Sequence, residues 1–354
     1  MAGGVGSRFW PMSRTSNPKQ FIDVLGTGRT LLQQTWDRSL RICGPKNIFV
    51  VTNESYRTLV REQLPDLPEA NILSEPARKN TAPCVAYAAW KIHSLNPNAV
   101  MVVAPSDHLI TKENTYEKAI KACMAKAAIA DCLITIGIRP TRPDTGYGYI
   151  QFILSDAHEL DKRIKKVKTF TEKPNLEMAQ FFLDSGDFLW NAGIFVWSAK
   201  SIMNAFEVHS SEMAGIFNEG NGKWNTDEEA AFLRDAYNRC KNISIDYAIM
   251  EKADNVYVRS SIIGWSDLGT WGSLYTHIKH DEHENAVVGK HVMLYDTKNC
   301  IVNVPKDKLV VIEGLDDYIV VESDNILLIC KKQDEQQIRT FVNDVKVARG
   351  DKFV

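Results

Sequence analysis

Short, uninterrupted apolar runs recur between helical stretches over the first two-thirds of this 354-residue chain, and that alternation limits its folds most. Asn47-Ile48-Phe49-Val50-Val51-Thr52, Ala99-Val100-Met101-Val102-Val103-Ala104 and Leu133-Ile134-Thr135-Ile136-Gly137-Ile138 read as strands. A run without polar alternation suits a strand covered on both faces, as parallel strands are. Helical patterns lie between the runs. Thr30 to Ile42 carries Leu31, Leu32 and Leu40, and Pro83 to Leu95 is Ala-rich, with Asn80 or Thr81 placed to cap it. Tyr116 to Ile129 gives a third helix. Strand–helix–strand repetition predicts an α/β fold with right-handed crossovers and a doubly wound, mostly parallel sheet.

After about residue 285 the texture changes. Ala286-Val287-Val288, Val292-Met293-Leu294, Cys300-Ile301-Val302, Leu309 to Ile312, Tyr318 to Val321 and Ile326 to Ile329 are separated by Gly, Asp and Asn. Regularly spaced short strands predict a second, all-β domain over 285–354, for which a β-helix is one candidate, behind a first domain over 1–284. Glu335 to Val345 reads as a terminal helix.

Charge excludes some functions. Lys+Arg is 42 against Asp+Glu 44, a formal net charge of −2, which argues against a nucleic-acid binder working by bulk positive charge but permits a local anion site. No apolar run approaches the ~18 residues of a membrane span. Seven scattered cysteines, with no two in a zinc-ligand spacing, make a disulfide framework unexpected and fit a reducing cytoplasm. His277, His280 and His283 invite a zinc reading, but Lys279, Asp281 and Glu282 mark the stretch as solvated.

The chemistry concentrates at the start: Gly3-Gly4-Val5-Gly6-Ser7-Arg8-Phe9-Trp10-Pro11-Met12-Ser13-Arg14, then Asn17-Pro18-Lys19-Gln20. Glycines let backbone N–H groups approach phosphate oxygens, while Arg8, Arg14 and Lys19 add fixed positive charge. The spacing matches neither the Walker A loop nor the dinucleotide fingerprint. A phosphate loop is normally fed by a strand, so the natural protein is expected to begin a few residues upstream of Met1.

This segment resembles the signature of sugar-phosphate nucleotidyltransferases. Glu75-Pro76-Ala77-Arg78-Lys79-Asn80-Thr81-Ala82-Pro83 and Pro105-Ser106-Asp107-His108 look like blocks of the mannose-1-phosphate guanylyltransferase branch. So do Phe170-Thr171-Glu172-Lys173-Pro174, Leu189 to Phe195, and Ser244-Ile245-Asp246-Tyr247 through Gly264-Trp265-Ser266-Asp267-Leu268-Gly269. The blocks run in order to about residue 275. Phe9, Met12 and Leu268 depart from the usual residues without removing a charge.

The resemblance implies a Rossmann-like fold and the reaction GTP + α-D-mannose 1-phosphate ⇌ GDP-mannose + pyrophosphate. It implies that Gly3, Gly4, Gly6 and Ser7 hold the triphosphate and that Arg8 and Lys19 neutralise phosphate charge. Asp107 and Asp267 would hold Mg²⁺; a hard cation taking one or two carboxylates and substrate phosphates suits them. Asn80 and Thr81 fall to the base, and Gly146, Glu172, Lys173, Asn191 and Gly193 to the sugar phosphate. Partners are expected to be GTP and mannose 1-phosphate, without nucleic acid or membrane, in a cytoplasmic homodimer. Another sugar and base, or a non-catalytic subunit sensing GDP-mannose, are the alternatives. Removing the chain after about 285 is expected to spare nucleotide binding in the large domain but to disturb assembly.

Overall fold

The three apolar runs fold as the strands Val50–Asn53, Val100–Val103 and Leu133–Ile138. The intervening patterns fold as the helices Leu31–Leu40, Thr81–Leu95 and Glu113–Ala127. Asn80 caps the second of these, its side chain accepting the Thr81 N–H at 2.9 Å. The computed structural model describes residues 1–157 and 161–354. By packing these fall into two units. One comprises Met1–Gly3, Asp37–Pro105 and Ile110–Trp265; the other comprises Gly4–Trp36, Ser106–Leu109 and Ser266–Val354. Packing therefore groups the glycine-loop segment with residues 266–354, whereas the expected division at 284/285 follows a change of sequence texture.

The first unit is built on a sheet of six strands among the described residues. Their spatial order is Val100–Val103, Phe188–Ser198, Leu133–Ile138, Val256–Ser260, Ile164–Thr171 and Tyr149–Ala157. The α/β class holds, but the sheet is mixed rather than mostly parallel. Leu133–Ile138 and Val256–Ser260 run parallel, with Thr135 opposite Val258, and the other neighbours are antiparallel. An apolar run reports that both faces are covered, not which way the neighbour points: Leu133, Ile134 and Ile136 are fully buried between one antiparallel and one parallel partner. Val50–Asn53 and Ile72–Glu75 form a separate parallel pair. Ala2 donates its N–H to Val51 O at 2.7 Å, and Thr52 Oγ1 donates to Ala2 O at 2.8 Å. Trp90, Trp197, Phe206, Phe217 and Tyr237 fill the core.

The second unit contains the β-helix. Ala286–Val288, Ile301–Asn303 and Tyr318–Ser323 stack in parallel, with Ala286, Ile301 and Ile319 in register. His291–Tyr295 lies parallel to Leu309–Glu313, and Ile326–Lys331 closes the stack antiparallel. Asp296, Asn299 and Asp317 turn the coils at positive φ, which their short polar side chains tolerate. The terminal helix is Ile338–Arg349. Phe9, Trp10, Leu31 and Trp271 share one core with Ile301, Ile319, Val321 and Ile338. Trp10 Nε1 donates to Phe353 O at 2.8 Å, and Arg14 reaches Ser323 O at 2.9 Å and the Asp324 carboxylate at 3.0 Å. Arg14, read as charge for a phosphate, is thus also a tie between the loop segment and a β-helix turn.

Candidate active site

In the second unit the glycine loop opens on a cavity of about 430 Å³. Gly6 sits at φ 74°, and a Cβ there would lie 2.7 Å from Lys19 Cβ, so backbone conformation and close packing both require glycine. The loop is closed from beneath. Ser13 Oγ donates to Gly6 O at 2.5 Å, Gln20 Nε2 donates to Gly4 O at 2.9 Å, and the Lys19 N–H donates to Val5 O at 3.1 Å. Ser7 and Arg8 stand in the short 3₁₀ turn Ser7–Phe9 that follows.

Lys19 is 3% exposed, and its ammonium has three acceptors: Asp107 Oδ2 at 2.9 Å, Asp267 O at 2.8 Å and Leu268 O at 3.1 Å. One buried cation thereby ties together two aspartate-bearing turns 160 positions apart in sequence, and both aspartates line the cavity. Burial pushes the Asp107 carboxyl up, but Lys19 and then His108 pull it further down, to about 2, so it stays ionised. Asp267 Oδ1 accepts the Gly269 N–H at 3.0 Å, and a Cβ on Gly269 would lie 2.3 Å from Asp267 Oδ2. Two carboxylates facing a cavity lined by cationic side chains offer the oxygen donors that Mg²⁺ takes.

A second group of expected residues gathers in the first unit. Asn191 Nδ2 donates to Asp246 Oδ1 at 2.9 Å, while Asn191 Oδ1 accepts from Thr135 Oγ1 at 2.8 Å and from the Gly193 N–H at 3.1 Å. Lys173 Nζ pairs with Glu172 Oε1 at 2.5 Å. Burial, and then the Glu172 carboxylate, push the Asp246 carboxyl up to about 7. Glu172 has so little room that a Cβ on Gly148 would lie 2.5 Å from its Oε2. Gly146 is exposed and donates its N–H to Asp144 Oδ1 at 2.8 Å.

Other expected residues are engaged elsewhere. Thr81 Oγ1 accepts the Ile245 N–H at 2.8 Å, tying the start of its helix to the segment before Asp246. Gly3 belongs to the first unit, where a Cβ would lie 3.4 Å from Glu75 Oε2. His280 places its ring nitrogens 3.0 Å from Glu284 Oε2 and 2.9 Å from Tyr275 O. Sequence reasoning missed three contributors. Gly269 and Asp246 stood inside quoted blocks without a role, and Arg339, far along the chain, carried no motif signal.

The sequence matches the Nucleotidyl transferase family over residues 1–284 and the MannoseP isomerase/GMP-like beta-helix domain over 289–345. It is 33% identical to a mannose-1-phosphate guanylyltransferase of Escherichia coli, across 98% of this chain and 75% of that protein. It is 36% identical to the enzyme of the same name from Salmonella montevideo, across 98% and 73%. Among solved structures, mannose-1-phosphate geranyltransferase from Thermus thermophilus superposes with a TM-score of 0.86 at 28% identity, covering 98% of each chain.

Proposed function

Because this chain belongs to the nucleotidyl transferase family, we propose that it transfers GMP from GTP to α-D-mannose 1-phosphate, giving GDP-mannose and pyrophosphate. The observation that carries this is the Lys19 tie, which gathers the glycine loop, Asp107 and the Asp267 turn around one cavity.

The sugar phosphate is anionic near neutral pH, so its oxygen attacks the α-phosphorus without a general base, and the bond to the β-phosphate oxygen breaks. Positioning and charge stabilisation are then the main demands on the protein. The loop N–H groups at Gly4, Gly6 and Ser7 and the Arg8 guanidinium bind phosphate oxygens. Asp107 and Asp267 would hold Mg²⁺, which when bound neutralises phosphate charge. Gly146, Glu172, Lys173, Asn191 and Gly193 take mannose 1-phosphate. Asn80 and Thr81 take the base; the Thr81 hydroxyl accepts the Ile245 N–H and keeps its own proton to donate.

We also take the protein to be a cytoplasmic homodimer. No described helix is long and apolar enough to cross a membrane, and the cysteines are free thiols. The exposed Met293, Tyr295, Leu309 and Val311 on two paired β-helix strands offer an apolar face for a second copy.

The test is pyrophosphate release across a matrix of nucleoside triphosphates and sugar 1-phosphates. GTP with mannose 1-phosphate and Mg²⁺ is expected to be fastest, and chelation to stop it. Faster turnover of UTP or dTTP with glucose 1-phosphate would overturn the substrate assignment. GDP-mannose binding without any turnover would make the chain a sensor.

A further inference from the structure

Resting on that reading, we propose that Arg339, from the terminal helix, binds the triphosphate tail of the nucleotide and follows it as it leaves as pyrophosphate. Arg339 lines the same cavity as Ser7, Arg8, Lys19, Asp107 and Asp267. The cations around that loop are otherwise matched to acceptors: Lys19 to Asp107, and Arg14 to Asp324. Among the described residues, neither Arg8 nor Arg339 has a hydrogen-bond or ion-pair partner. Partial loss of water at the cavity, and then the Arg8 charge, lower the pKa of Arg339, as two like charges at one recess require. Two unmatched guanidiniums at one cavity cost energy alone and are stabilised by an anion that both can fork.

The position is built rather than incidental. Ile338, the preceding residue, is fully buried in the core that holds Phe9 and Trp271. Glu335 Oε2 accepts the Gly272 N–H at 2.7 Å, and a Cβ on Gly272 would lie 3.1 Å from that oxygen. Arg339 thus leaves an anchored backbone while its side chain stays exposed. In the reaction the charge that grows falls on pyrophosphate, and a guanidinium with no carboxylate to give up can meet it.

The experiment uses the full chain with Arg339→Gln and Arg339→Lys, measuring KM for GTP, inhibition by pyrophosphate, affinity for GDP-mannose and Tm. Arg339→Gln is expected to weaken GTP and pyrophosphate ~10- to 100-fold, as for loss of a charged hydrogen-bonding group, with GDP-mannose within about twofold and Tm unchanged. Arg339→Lys is expected to recover part of the loss; it carries the test if the glutamine variant fails to fold. Unchanged pyrophosphate affinity in a folded variant would overturn the proposal, and so would an equal loss for GDP-mannose. Calorimetric binding of pyrophosphate and GTP separates this from the reading beneath it: wild-type protein that binds both without turnover would refute the reaction and leave Arg339 still decided by its own variants.

Discussion

At the scale of single residues, Lys19 holds other groups of the cavity together. All three of its protons meet oxygens of the Asp107 and Asp267 turns. Asp107→Asn is expected to lower turnover at least ~100-fold and also to lower Tm, because it leaves the buried Lys19 ammonium without its anionic partner, measured by pyrophosphate release and thermal unfolding. Lys19→Ala is expected to lower turnover comparably and also destabilise the fold by about 2–4 kcal/mol, because acceptors gathered around a buried cation lose it; urea denaturation reads this. The Lys19 charge was legible from the Pro18-Lys19 motif, but its triple tie was not, since sequence does not say which distant carbonyls meet. A pH dependence follows from Glu75, whose carboxyl burial raises to about 7, although Tyr237 donating to it at 2.9 Å opposes the rise. The folded pKa stands above the unfolded one, so the native state keeps a proton the unfolded chain has released. This contribution is full below about pH 4, falls as pH rises toward 7, and is gone above it. Glu75→Gln is expected to flatten that fall by up to ~1.4 kcal/mol per pH unit, measured by denaturation between pH 5 and 7.5.

At the scale of elements, strand and helix positions were legible because apolar continuity and Ala-rich periodicity are local properties. Strand direction was not. Phe188–Ser198 lies between Val100–Val103 and Leu133–Ile138 and opposes both, an arrangement settled by pairing across long separations. The glycine loop was legible by composition, yet its support was hidden, because Phe9 and Trp10 look ordinary until they are seen packed with Ile301, Ile319 and Ile338. This changes the expectation for truncation. Removing residues beyond 285 strips the apolar partners from Phe9, Trp10 and Trp271, so nucleotide binding should be lost with it. Calorimetric GTP binding to the truncated chain checks this, and retained wild-type affinity would contradict the shared core.

At the scale of the whole molecule, neither unit is one length of chain. The fragment 266–354 expressed alone is expected not to fold, since it lacks Phe9, Trp10, Val24 and Leu31 from its core; dispersed amide proton shifts in its NMR spectrum would refute that. Discontinuity also orders events during synthesis. The cavity draws its wall from Val5 to Arg339. A ribosome must therefore release nearly every residue before the recess can form, and a prematurely terminated product carries the signature loop without the completed cavity.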